Sequence, residues 1–137
     1  MNRRPLWLLL SFALLVSACA SQPAALPADV QVVVDMKEYS VVLSVTTVKA
    51  GSVKFGIRNL GSMEHQFDLI RTDLALDKLP IDSGARAKED GLVKQVKGIG
   101  AGKVATISAE LAPGRYVVIC NIAGHYQLGM RAELRVE

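Results

Sequence analysis

The stretch Gly114-Arg115-Tyr116-Val117-Val118-Ile119-Cys120-Asn121-Ile122-Ala123-Gly124-His125-Tyr126-Gln127-Leu128-Gly129-Met130-Arg131-Ala132-Glu133-Leu134-Arg135-Val136-Glu137 holds two strands of different kinds, joined by a loop rich in soft donor atoms. Before the loop, Tyr116, Val118 and Cys120 alternate onto one face, while Val117 and Ile119 on the opposite face are apolar as well. A strand that is apolar on both faces is covered on both, so it belongs in the middle of a sheet. After the loop, Met130, Ala132, Leu134 and Val136 alternate with Arg131, Glu133, Arg135 and Glu137, giving one buried and one solvated face. Cys120 therefore ends the first strand, and Met130 opens the second on its inward side.

Toward the N-terminus the same period of two recurs. Ala105, Ile107, Ala109 and Leu111 alternate before the turn Pro113-Gly114, and residues 93–99 read as a short strand. His65, Phe67 and Leu69 share a face, so His65 points where core residues point. Val53, Phe55 and Ile57 alternate with Lys54, Gly56 and Arg58 up to Asn59, and Leu60-Gly61-Ser62 breaks the pattern. Tyr39, Val41, Leu43, Val45 and Thr47 predict one strand ending at the turn Ala50-Gly51, and Val30, Val32, Val34 and Met36 predict another before it. Between Thr72 and Gly91 the alternation lapses, and Leu74, Leu76 and Leu79 predict a helical turn or two before Pro80. About eight short strands with regular turns and no crossover helix make the fold class all-β, a two-sheet Greek-key sandwich forming one domain over residues 30–137.

The informative spacing is C-x4-H-x4-M, which runs through Cys120, His125 and Met130. Singly, a buried cysteine, a core histidine and a gap-filling methionine are commonplace. Together they use one of only two histidines and the only cysteine besides Cys19. A thiolate, two imidazoles and a weak thioether suit an ion cycling between Cu(I) and Cu(II), because such a set satisfies neither state's preferred geometry completely. The loop supplies three of these donors, and the remaining histidine of the chain, His65, is the fourth. Met63 as a spare thioether and Glu64 as an axial oxygen ligand are weaker readings than loop packing and solvent exposure. Tyr116 reads as a corner residue anchoring its strand, and Asp68 and Arg71 as solvated charges.

Asn59, His65, the Pro113-Gly114-Arg115-Tyr116 entry to the Cys120 strand and the C-x4-H-x4-M loop resemble the cupredoxin family of blue copper proteins, over about Val30 to Glu137. The loop spacing is similar to that of the rusticyanin and sulfocyanin type. The resemblance implies one type 1 copper held by His65, Cys120, His125 and Met130, and single-electron transfer between redox proteins. Two residues depart from the common family pattern: Ala123 stands where a proline often precedes the Gly-His pair, and Gln66 where an Asn often follows the first histidine. Both bear on the hydrogen bonds around the sulfur, and hence on the reduction potential.

Other classes remain to be weighed. A copper chaperone or storage module needs exposed, exchangeable ligands, whereas a cysteine on a central strand suits a carrier. Zinc stays open because one cysteine and two histidines can bind it. Copper oxidases and nitrite reductases need a second centre with more histidines, so an enzyme is not expected. Between Cys120 and Met130 there is no charge, and Ile122, Ala123, Leu128 and Gly129 offer an apolar rim on which redox partners would dock near His125. A monomer is expected.

The other end of the chain carries an address. Arg3 and Arg4 precede eleven residues, Leu6 to Val16, interrupted only by Ser11, too short a stretch to span a bilayer. With Ser17 and Ala18 behind it, this reads as a secretory signal peptide over residues 1–18. Val16-Ser17-Ala18-Cys19 resembles the lipobox of bacterial lipoproteins, which implies lipid on Cys19 and a membrane anchor; residues 19–29 read as a flexible tether. An ordinary cut after Ala20 is the alternative. The protein is expected to be exported and held at a membrane on the periplasmic or cell-surface side. Without Arg3 and Arg4 the chain has 14 basic against 13 acidic residues, so no basic footprint for nucleic acid remains.

Overall fold

The computed structural model describes residues 25–137, so the expected signal segment and Cys19 lie outside the described residues. Nine strands are present among them, and no helix. In chain order they are β1 (Val32–Lys37), β2 (Ser40–Leu43), β3 (Thr47–Val48), β4 (Gly51–Asn59), β5 (His65–Arg71), β6 (Leu92–Ile99), β7 (Val104–Leu111), β8 (Gly114–Ile119) and β9 (Arg131–Val136). One sheet has the order β2-β1-β4-β7 and the other β3-β9-β8-β5-β6. Both sheets are mixed: β1 runs parallel to β4 and β3 parallel to β9, while the other neighbours are antiparallel.

The core follows the alternation. Val32, Val34 and Met36 of β1, Phe55 and Ile57 of β4, Phe67 and Leu69 of β5 and Val118 of β8 are all buried between the sheets. Phe55 and Phe67 meet across the gap with ring centroids 5.4 Å apart, in the tilted arrangement aromatic pairs favour. The Tyr116 hydroxyl donates to the Ala112 carbonyl at 2.9 Å, the corner role expected of it.

The strand expected from Tyr39 to Thr47 is two strands in two sheets. β2 pairs with β1, and β3 pairs with β9 after a crossing at Ser44 to Thr46. Ser44 ends β2 by exchanging with Val33: its backbone N–H donates to the Val33 carbonyl and its hydroxyl accepts from the Val33 N–H, both at 2.9 Å. The alternation could not register that change of sheet, because both pieces have the same period. Tyr39 and Val45, read as part of that single strand, lie outside both pieces and are exposed.

Residues 72–91 form no helix, only a single hydrogen-bonded turn from Ala75 to Lys78 where a helical turn or two was expected, and they lie on the outer face of the second sheet. Leu79 and Ala87 pack there with Ile70, Val117, Ile119 and Tyr126 as a second apolar cluster. This is why β8 is apolar on both faces. At the other edge of the domain, Ala25 to Asp29, assigned to the tether, carry contacts onto β4. Asp29 pairs with Lys54 at 2.7 Å, and the half-buried Leu26 lies over Gly56, where an added Cβ would stand 2.8 Å from its side chain. Gly56 keeps that surface of β4 flat enough for the approach.

Candidate metal centre

The pairing of β5 with β8 sets Asp68 opposite Ile119 and Leu69 opposite Val118. Extended by one residue, that register sets Cys120 opposite Phe67, and His65, two residues further along the same face of β5, lies diagonally beside Cys120 although the two are 55 residues apart in sequence. Their facing atoms, Nδ1 and Sγ, are 3.8 Å apart, and Nδ1 of His125 is 3.5 Å from the same sulfur. The imidazole rings are 5.5 Å apart between centroids, and one donor atom from each of the three residues falls within 4.8 Å of the others. The structure thus brings three of the four expected residues together as a donor triad. Met130 is fully buried in the same core cluster as Cys120; its carbonyl accepts from the Cys120 N–H and its own N–H donates to the His125 carbonyl, each at 3.0 Å.

Each donor is held from behind. The Gln66 N–H donates to Sγ at 3.3 Å, so this thiolate-directed bond comes from the backbone and survives the substitution of the common Asn. Asn59 donates through Nδ2 to the carbonyls of Met63 (2.7 Å) and Ile99 (2.8 Å) and accepts from Gly61 N–H, which fixes the segment leading into His65. Glu38, on the turn after β1, accepts through Oε1 from the N–H groups of Ser62 (2.9 Å) and Met63 (2.7 Å). The neighbouring Tyr39 sets its ring edge-on against His125 at 5.4 Å. Met63 and Glu64 are exposed, outside the triad.

The ligand loop is pinned by the excursion over residues 72–91. Asn121 accepts through Oδ1 from Ala87 N–H (2.8 Å) and donates through Nδ2 to the Ala87 carbonyl (2.9 Å) and to Glu89 (3.0 Å). Gly124 N–H donates to the Ala85 carbonyl at 2.8 Å, and the Tyr126 hydroxyl donates to Leu76 O and accepts from Leu79 N–H. Gly124 and Gly129 take φ of 82° and 120°, left-handed values that glycine adopts without strain and that let the loop fold back upon itself.

Electrostatically the pocket is dry and its groups prefer neutrality. Burial pushes the Cys120 thiol up, against the backbone N–H groups of Ile122 and Gln66. Burial lowers both imidazoles, and Glu38 opposes this in each. Neutral imidazoles keep a lone pair for a metal, and a thiolate in such a place needs a cation beside it. One sulfur and two nitrogens facing inward make a donor set for a borderline-soft ion, copper or zinc.

Asp68 corrects an expectation: it is not solvated but fully buried beneath the site, its two oxygens each 2.9 Å from Gln66 Nε2. The signal in the sequence was its place on a strand whose other face, through Ile70, is apolar too. Glu38 and Tyr39 were missed because a turn brings them to the site from the other sheet, with no local pattern to announce it.

The sulfocyanin (SoxE) domain family matches residues 45–137 of the chain. A comparison with curated protein sequences finds no match. Among solved structures, the chain is similar in fold to reduced auracyanin from Roseiflexus castenholzii, with a TM-score of 0.57 at 19% identity over 77% of this chain and 94% of that one. It is also similar to auracyanin A from Chloroflexus aurantiacus, described as a "blue" copper protein, with a TM-score of 0.55 at 19% identity over 77% and 96% of the two chains. Rusticyanin from Thiobacillus ferrooxidans gives a TM-score of 0.55 at 19% identity over 77% and 75%.

Burial raises the Asp68 carboxyl from 3.8 to about 6, with Gln66 and Gln95 opposing and Glu89 adding to the rise. The folded state therefore holds this proton where the unfolded chain has released it. Its contribution to stability is whole below the unfolded value and is lost as pH rises through about 6, at most about 3 kcal/mol. In metal-free protein, Asp68→Asn should gain unfolding free energy over the parent progressively between about pH 4 and pH 7. Denaturant titrations across that range check this; a difference that does not vary with pH would mean that Asp68 titrates normally.

Proposed function

The chain belongs to the sulfocyanin (SoxE) domain family of cupredoxins, and from that membership we propose that it is a single-electron carrier holding one copper ion between His65, Cys120, His125 and Met130. The observation that carries this is the convergence of two imidazole Nδ1 atoms on one buried thiol, already gathered by β5, β8 and the loop after it. Copper, when bound, supplies the one-electron couple. The residues supply a buried frame: pairing with Ile99 of β6 holds His65, the Gln66 N–H steadies negative charge on the sulfur, and Met130, buried in the same core cluster as Cys120, would be the weak fourth donor. A frame that does not move on oxidation keeps the reorganisation cost of each electron small.

Burial also separates this role from copper handling. A chaperone must surrender its ion, whereas His65 and Cys120 are wholly enclosed and His125 is only 5% exposed. Catalysis at a second histidine centre is disfavoured by composition, since both histidines of the chain lie in this site.

Electron exchange is assigned to the face beside His125. There Leu128 (59% exposed), Ala123 and Tyr39 (42%) form an uncharged rim, and Tyr39 touches the imidazole itself. Small apolar contacts of this kind suit weak, quickly released redox encounters. Export and lipid on Cys19, with the first residues after it as tether, would hold the domain at a membrane within reach of such partners; several acyl chains anchor firmly where one does not.

The oxidised, copper-loaded protein should show an intense thiolate-to-copper band, lost in Cys120→Ser; Met130→Leu should keep the band and raise the potential, since loss of a weak donor destabilises Cu(II) more than Cu(I). A featureless visible spectrum in the parent would shift the site to zinc or copper handling, and an unchanged potential would make Met130 a packing residue. Leu128→Lys should slow reduction by a redox partner while copper content, colour and potential stay as they are. Stopped-flow exchange rates equal to those of the parent would put the docking face elsewhere. Cys19→Ser should leave the coloured protein in the soluble fraction of expressing cells, and its retention on membranes would reveal another anchor.

A further inference from the structure

We infer that Glu38 is a positioning residue for the copper ligand His65, selecting its tautomer and setting the charge behind it; this rests on the copper reading of the site. A neutral imidazole carries one proton on two nitrogens, and only the bare nitrogen can bind a metal. In His65, Nδ1 faces Cys120 Sγ at 3.8 Å. Nε2 is buried on the opposite side of the ring with no aligned hydrogen-bond partner, and the Glu38 Oε1 stands 3.3 Å from it. A buried N–H without an acceptor is costly, and a carboxylate oxygen is the acceptor at hand. The proton is thereby kept on Nε2, and the Nδ1 lone pair is left facing the sulfur.

The carboxylate is itself built into place. Its Oε1 accepts from the Ser62 and Met63 N–H groups, two donors that favour the ionised form and fix its position. Gly61 makes the approach possible, because a Cβ there would clash with the Glu38 carboxylate. Glu38 thus joins the turn after β1, the segment before β5 and the ring of His65. Its negative charge, one imidazole away from the ion, favours the oxidised state and lowers the potential, as carboxylate–histidine pairs do for other ligated metals.

Three variants separate charge, hydrogen bonding and mere loop support. Glu38→Gln keeps an oxygen acceptor and removes the charge, so the copper-loaded protein should retain its visible band with a raised potential. Glu38→Ala removes both, and long-range 15N–1H spectra of the metal-free protein should show His65 passing from a single Nε2–H tautomer to a mixture. Gly61→Ala leaves the carboxylate chemistry intact but displaces it, and should move potential and tautomer in the same direction as Glu38→Ala. If these variants lose stability while potential and tautomer equal the parent's, Glu38 only supports the loop and the inference is overturned. Absence of a thiolate-to-copper band in the parent would defeat the copper reading alone, since the tautomer measurement on metal-free protein still decides whether Glu38 directs the ring.

Discussion

The pairing of β5 with β8 is the constraint on which the rest of this structure depends. Four register pairs run from Arg71 opposite Tyr116 to Asp68 opposite Ile119, and beyond them His65 and Cys120 lie as diagonal neighbours on one face. Because side chains alternate, a slip of one residue would turn either donor to the other face of the sheet. Burial on both faces prevents that slip: Leu69 and Val118 are locked into the main core, Ile70 and Val117 into the outer cluster. The site thus rests on packing that the sandwich needs in any case.

The second requirement is that a loop of nine residues between Cys120 and Met130 hold its histidine as firmly as a strand would. It does so by internal hydrogen bonds and by borrowing partners from residues 72–91, of which Asn121 and Tyr126 take the most. Arg131 completes the arrangement, donating to the Tyr126 carbonyl at 2.8 Å with its guanidinium 5.3 Å from the tyrosine ring centroid.

Much of this was legible in the sequence because it is written in alternation and spacing. The double-faced apolar run through Val117 to Ile119 identified a central strand, and the loop spacing singled out Cys120 and His125, two members of the donor triad. What failed did so for lack of a local signal. The passage from β2 to β3 changes sheet without changing period, so nine strands stand where about eight were expected. Asp68 looked like a surface charge because side-chain type outweighed its setting on a strand covered on both faces. Glu38 and Tyr39 come to the two histidines from a turn in the opposite sheet, and only tertiary structure brings such residues together.

The covering of the second sheet by residues 72–91 steadies the loop after β8 as well as closing the outer face. This segment has no strand ladder of its own beyond a single bridge between Ile81 and Ala87, and it is held by Leu79, Ala87 and side-chain bonds to the loop. Turn bonds such as Lys88 N–H to the Pro80 carbonyl and Asp82 N–H to the Arg86 carbonyl give it its own shape. Lifting it would strip Asn121, Gly124 and Tyr126 of their partners at once and loosen His125, the donor supplied by the loop. The firmness of the loop that carries His125 is thus set by packing on the far side of the sheet from Cys120.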